Sequence, residues 1–535
     1  MHSRRRPSTF RSRPAPVTAV RRKAALLGAA AALLLTGVAA CSPGSSSTAD
    51  ASLAALPGAT PAELTSYYSQ TLKWRECGVP GFECATLKAP LDYDKPTAGD
   101  IDLAVSRKKA TGPGKRLGSL LVNPGGPGGS AIGYLQAYAG IGYPAGVRAR
   151  YDMVAVDPRG VARSAPVTCL NGKQMDAYTQ TDVTPDDAAE KTGLTAAFQR
   201  FADGCETHDA TSKRVLPHVS TVEAARDMDL VRAALGDEKL TYVGASYGTF
   251  LGATYAGLYP ERVGRLVLDG ALDPSLSSRE LNLEQTAGFE TAFTSFAKDC
   301  VARADCPLGT GTPAEAGQRL KQFFTTVDRT PLATGDPDGR KLGEALATTG
   351  VIAAMYDEGA WPQLREALTA ALSKKDGAGL LALSDSYYER DPDGTYSNLM
   401  FANAAVNCLD QPPSFTSPAD VESALPDFEK ASPVFGPGLA WSSLNCGSWP
   451  VRPTGEAHRI TADGAAPIVV VGTTRDPATP YGWAKSLASQ LSSGRLLTYD
   501  GDGHTAYGRG STCIDDAIDT YLLTGTPPTD GKRCS

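Results

Sequence analysis

From about Ser119 the chain alternates short apolar runs with stretches of helical periodicity, the pattern of a parallel sheet covered by helices. "SLLVNPGGPGGS" predicts a strand running into a glycine-rich loop, and "YDMVAVDPRGVARS" a strand followed by a turn. In "STVEAARDMDLVRAALG" the residues Val222, Ala225, Met228, Leu230, Val231 and Ala234 fall roughly on one helical face, and Ser220 with Glu223 has the spacing of a capping box. "LTYVGAS" is the next strand; the helix after it should stop near Pro260, and "GRLVLDGALDP" supplies another strand. The strand signal then disappears. From roughly Ser277 to Arg459 helical segments such as "LEQTAGFETAFTSFAKDC", "PAEAGQRLKQFFTTV" and "WPQLREALTAALSKK" alternate with Pro- and Gly-rich turns. Strands return with "APIVVVGTTRDPATP" and "GRLLTYDGDGHTAYG", and a helix near "CIDDAIDTYLLTG" closes the pattern. The expected class is α/β, a mostly parallel sheet flanked by helices. Residues 61–276 and 460–535 form its two parts, and a large, mainly helical cap, 277–459, is inserted before the last strands.

The first forty residues have another composition. Eight basic residues, Arg4 to Lys23, meet no acid before Asp50, and "AALLGAAAALLLTGVAAC" follows as an apolar segment ending in small residues and Cys41. That is the form of a signal peptide over 1–40 rather than of a membrane span. "VAAC" resembles the bacterial lipobox, so Cys41 is the expected lipidation site, and "SPGSSSTADAS" within 41–60 reads as a flexible tether. The expectation is an exported lipoprotein held at the membrane only through Cys41, with simple secretion as the alternative. Without the eight basic residues the net charge of −6 becomes −14, which argues against nucleic acid as a partner. Eleven cysteines less Cys41 leave ten, consistent with five disulfides outside the cytoplasm. Proximity along the chain suggests Cys77–Cys84, Cys169–Cys205, Cys300–Cys306, Cys408–Cys446 and Cys513–Cys534, although other connectivities stay open. Neither a CxxC pair nor HExxH occurs, so no metal or cofactor is expected.

The candidate chemistry centres on "GASYG". Gly244-x-Ser246-x-Gly248 at the end of an apolar run has the shape of a nucleophile elbow, where a strand turns sharply into a helix and lifts the serine above the sheet. A nucleophilic serine needs a base, the base needs an orienting acid, and the oxyanion needs fixed donors. Asp476 lies just beyond "PIVVVG" and His504 just beyond "RLLTYD", giving the chain order Ser, Asp, His of the α/β-hydrolase fold. Of five histidines, His504 alone follows a late strand in a glycine-rich loop. Asp269, which ends "RLVLD", is the rival acid; its other expected role is to bond loop amides. The oxyanion donors should be the backbone N–H groups of Tyr247 and of the loop Asn123 to Ser130, with Gly126 first and Gly125 next.

Eight segments, "GGPGGS", "DPRGVARSAPVTC", "GASYGT", "LDGALDP", "YDEGAWPQL", "AVNCLDQP", "TRDPATPYGWA" and "GDGHTAYG", resemble the secreted actinobacterial tripeptidyl aminopeptidases, relatives of prolyl iminopeptidase. The resemblance runs from about Trp74 to Cys513. It implies an α/β-hydrolase fold with Ser246 as nucleophile, Asp476 as acid and His504 as base, and peptide substrates with a free N-terminus. One departure is Pro124, which stands where prolyl iminopeptidases have the histidine of His-Gly-Gly-Pro. An exopeptidase of this kind must hold an ammonium group, and the cap offers Asp357, Glu358 and Asp410. Asp410 is the first choice because Cys408 lies two residues away, and Glu358 the second because it adjoins "AWPQL". The alternative function is an esterase or lipase on the same scaffold, whose cap would be lined by apolar side chains instead. The sequence does not indicate an oligomeric state.

Overall fold

In the computed structural model, which describes residues 51–535, ten strands form one sheet in the order β1-β2-β3-β5-β4-β6-β7-β8-β9-β10. The central strands are the apolar runs of the sequence: β4 (Gly118–Asn123), β5 (Tyr151–Val156), β6 (Leu240–Ala245), β7 (Val263–Asp269), β8 (Ile468–Arg475) and β9 (Gly494–Asp502), all mutually parallel. β5 is buried at every position and β8 at all but its last two, because helices cover both faces and neither side of the strand meets water. One face buries Leu121, Val154, Tyr242, Leu268 and Val470, the other Leu120, Val122, Val243, Val267 and Val469. β10 (Lys532–Cys534) pairs in parallel with β9.

The sheet also begins earlier than the hydrophobic runs indicate. β1 (Arg75–Glu76), β2 (Glu83–Pro90) and β3 (Asp100–Lys108) add an antiparallel edge. In β2 the residues Ala85, Leu87 and Ala89 point inward while Thr86 and Lys88 are exposed. Such alternation gives no continuous apolar run and is easily read as loop.

The helix over Thr221–Ala234 buries Ala225, Met228, Leu230 and Val231 as the periodicity requires, with Val222 and Ala234 only partly covered. Its cap is half the expected box. Ser220 accepts from the Glu223 N–H, but the Glu223 carboxylate turns to the guanidinium of Arg159 at 3.2 Å instead of back to the Ser220 N–H. Arg159 is fully buried and also forms two 2.7 Å bonds to Asp227, so a buried cation outcompetes the local bond.

Between β7 and β8, which pair directly, helices run from Ser278–Val301 to Gly436–Ser442. They share a core of their own, with Phe289, Phe293, Phe296, Leu320 and Phe324 among its buried members. All five disulfides are formed, in the pairing that proximity suggests. Cys41 and the leader lie outside the described residues.

Candidate active site

Ser246 sits between β6 and the helix Tyr247–Leu258 with φ 57° and ψ −127°, a conformation that L side chains adopt only when the surroundings hold them there. Both flanking glycines are obligatory. A Cβ on Gly244 would lie 2.3 Å from the Gly248 carbonyl oxygen, and one on Gly248 would lie 2.8 Å from the Asn123 carbonyl oxygen. The turn is tied down by the Ser246 N–H to the Asp269 carbonyl at 2.8 Å and by the Tyr242 hydroxyl to the Gly248 carbonyl at 2.7 Å.

His504 lies in the loop after β9, and its Nδ1 is 2.9 Å from each carboxylate oxygen of Asp476. Asp476 is buried after β8 and also receives the N–H groups of Ala478 and Thr479, both at 2.9 Å, the Thr479 hydroxyl at 3.0 Å and the Thr505 N–H at 3.2 Å. A carboxylate surrounded by donors accepts from His504, which places the imidazole proton on Nδ1 and the lone pair on Nε2. Among the described residues Nε2 has no hydrogen-bond partner.

The rival acid has the other role expected of it. The buried Asp269 carboxylate accepts from the N–H groups of Ala506, at 3.0 Å, and Tyr507, at 2.9 Å, and so fixes the loop that carries His504. Burial pushes its pKa up while these two amides pull it down. The cap holds the same loop from the opposite side. The His504 N–H donates to the Tyr356 carbonyl at 2.8 Å, and the Tyr356 ring packs edge-on against the imidazole with centroids 5.4 Å apart. Arg509 bonds the carbonyls of His504 and Thr505 and the carboxylate of Asp357.

Opposite the serine, the loop after β4 lies against the elbow. A Cβ on Gly125, where φ is +92°, would stand 2.5 Å from the Ala245 carbonyl oxygen and 2.9 Å from the Ser246 Cβ, so only glycine fits. The Gly125 N–H is spent on the Asn123 side chain at 2.8 Å. Neither Gly126 nor Tyr247 has an acceptor for its N–H among the described residues, and both line the cleft beside Ser246. These are the two donors expected for an oxyanion.

The cleft has a volume of about 330 Å³. Two cap helices wall it. Leu399–Asp410 presents Asn403, Asn407 and Asp410, at i, i+4 and i+7, while Ser278–Val301 presents Ser278, Leu281, Asn282 and Gln285. Those amide-bearing positions escaped the sequence reading, although the spacing N-x3-N-x2-D on one helical face marks them. Asp410 is the sole charged side chain among the lining residues. It accepts from the Thr221 N–H at 2.7 Å and from the Thr221 hydroxyl, which also contacts the hydroxyl of Tyr247. Burial raises its pKa to about 7 against the opposing pull of Thr221. Glu358, by contrast, is exposed and is not among the residues lining the cleft. Asp357 is likewise engaged elsewhere, by Arg509 and by the Gly359 N–H. Sequence adjacency to "AWPQL" placed Glu358 near aromatic residues but not on the helix face that meets the cleft.

A family model described as "TAP-like protein" matches residues 432–534. Serine protease Hip1 of Mycobacterium tuberculosis is 38% identical over 496 residues, covering 87% of this chain and 91% of the relative. Carboxylesterase B of the same organism is 38% identical over 459 residues, covering 84% and 86%. Tripeptidyl aminopeptidase of Streptomyces coelicolor is 31% identical over 485 residues, covering 87% and 86%.

Proposed function

The chain belongs to the tripeptidyl aminopeptidase family of α/β-hydrolase serine peptidases, and from that premise we propose that it is an exported exopeptidase releasing short peptides, tripeptides first among them, from free N-termini. Ser246 Oγ attacks the scissile carbonyl while His504 Nε2 takes its proton, and Asp476 holds the ring in the tautomer this requires. The N–H groups of Tyr247 and Gly126 stabilise the oxyanion. His504 then gives its proton to the departing amine, and water, activated by the same nitrogen, hydrolyses the acyl-enzyme. No step calls for a metal or a cofactor.

The observation that carries the exopeptidase reading is Asp410, one carboxylate in a cleft otherwise lined by amides, hydroxyls and apolar groups. It is the natural partner for a substrate ammonium, and the cap helices around it limit how much chain can extend past it. The five disulfides support an oxidising compartment, and a lipid anchor on Cys41 completes the proposal. The esterase alternative has a specific footing in the carboxylesterase relative. A panel of tripeptide anilides with free or acetylated N-termini, beside simple acyl esters, separates the two. Preference for the free amine is expected; equal turnover of blocked peptides, or hydrolysis of esters alone, would overturn the exopeptidase reading.

A further inference from the structure

Behind the cleft lies a second cavity of about 280 Å³, and the two share Gln285, Tyr387, Asn403, Leu439, Ser442 and Asn445 as common wall. These six residues form the boundary, or neck, at which the two spaces adjoin. The deeper chamber changes character, its floor being formed by Phe198, Phe201, Phe289, Ile352 and Met400. Among the segments that line it are the helix Ala188–Thr207 and the cap helices Ser278–Val301, Glu344–Met355 and Leu399–Asp410. At the neck Ser442 and Asn445 have side chains without hydrogen-bond partners among the described residues, whereas the Asn403 amide is committed to the Pro127 carbonyl at 3.1 Å and the Gln285 amide to the Ala478 carbonyl at 2.7 Å.

We propose that the inner chamber is the specificity pocket of the peptidase: it receives one large apolar side chain of the peptide released, an aromatic or a leucine-like one, while Ser442 and Asn445 at the neck bond that residue's backbone. The inference rests on the peptidase reading above. A polar neck followed by an apolar floor matches a peptide residue, polar at its backbone and apolar at its side chain, better than a fatty acyl chain, which has no polar group at that depth. Aromatic and aliphatic side chains dominate its lining beyond the neck, which suits an apolar side chain. Charged side chains are excluded, because no lining residue could pair with them there.

The test uses the full-length enzyme and three series of tripeptide anilides with free N-termini, each varying one position through Ala, Leu, Phe, Lys and Asp in an otherwise all-alanine peptide. At one position Leu or Phe should exceed Ala by about tenfold or more in kcat/KM, with Lys and Asp below Ala. Two substitutions then move the preference in opposite directions, which a folding defect cannot do. Ala345→Phe, filling the chamber, should bring the Phe to Ala ratio close to one, and Ile352→Ala, enlarging it, should shift the optimum from Leu toward Phe. A flat profile at all three positions overturns the proposal, as does a preference that neither substitution moves. Esters of acetate and octanoate form the control arm. If the two substitutions alter acyl-length preference and leave the peptide profile unchanged, the chamber holds a fatty acyl chain. If no peptide is cleaved at all, the peptidase reading itself fails and the inference falls with it.

Discussion

At the scale of single residues, two buried aspartates beside the histidine loop have different uses. Asp269 keeps two loop amides, whereas Asp476 touches the imidazole. Asp476→Asn should therefore lower kcat by about four orders of magnitude, because the amide can stabilise the wrong imidazole tautomer. Asp269→Asn turns an N–H toward the donors it formerly accepted from, so its main effect should be a lower Tm with a smaller loss of rate. The reverse ranking in paired kinetics and melting would move the acid's role to Asp269. Ser246→Ala should remove activity to a similar or greater extent with folding intact. Asp410 adds a test with a defined sign. Its folded pKa of about 7 exceeds the unfolded value of about 3.9, so the folded state holds a proton that the unfolded chain has already lost. The stability this contributes is fully present below about pH 4 and disappears as pH rises through 7. Asp410→Asn has no such dependence. Relative to wild type it should gain Tm steadily between about pH 4 and pH 8, while kcat/KM for free-amine peptides falls by about tenfold to a hundredfold and ester turnover stays level. A variant whose melting difference is flat with pH, or that loses ester and peptide activity equally, would make this acid a structural one.

At the scale of elements, the site is assembled where the cap touches the sheet domain. The oxyanion loop is covered by the helix Leu399–Asp410 so closely that a Cβ on Gly128 would lie 2.4 Å from the Leu399 carbonyl oxygen. Gly128 also has φ +101°, so Gly128→Ala meets both backbone strain and a backbone clash. That substitution should displace the helix bearing Asn403 and Asp410. The expected result is loss of most peptide turnover together with a drop in Tm, read by kinetics and calorimetry; a fully active Gly128→Ala enzyme would show that the cap helix does not depend on this contact. The other end of the site is clamped in the same manner. The His504 loop is fixed from below by Asp269 at the end of β7 and from above by Tyr356 and Asp357 of the cap. This double attachment explains why the acid rival and an amine-binding candidate from the cap both proved to be holding the histidine loop instead. Each is within reach of the site, but their carboxylates are already taken.

At the scale of the whole molecule, what could be read in the sequence follows from what a pattern can encode. Strands largely buried on both faces leave apolar runs, so β4 to β8 were legible, and β9, though only partly covered, keeps the short run Leu496–Leu497; the residues after these strands, Ser246, Asp476 and His504, were legible with their order. β2 and β3 were not, because one face of each meets water and the alternation breaks the run. Within the cap, helix existence was legible but helix orientation was not. The spacing puts Asn403, Asn407 and Asp410 on one helical face, but nothing local tells that this face meets a cleft while Glu358 faces solvent. Disulfide pairing was legible for a reason the structure supplies: every bridge is local, closing between 6 and 38 residues, and none joins the cap segment to the sheet segments. Cap and sheet domain are thus each stapled internally, and apart from the chain connections at the two ends of the cap they meet through non-covalent contacts. One staple bears on function, since Cys408–Cys446 ties the last turn of the Asp410 helix to a segment that itself lines the cleft. Thiol titration of the full chain, denatured but not reduced, should find one thiol, that of Cys41, or none if Cys41 carries its lipid on sulfur. Two or more would contradict the five bridges. Replacing Cys408 and Cys446 together by serine should then cost selectively. The helix end gains freedom, so more entropy is lost when Asp410 engages an ammonium, and KM for free-amine peptides should rise several-fold while kcat on a small ester holds. Equal losses on both substrates would mean that the bridge supports the cap as a whole rather than the one carboxylate it adjoins.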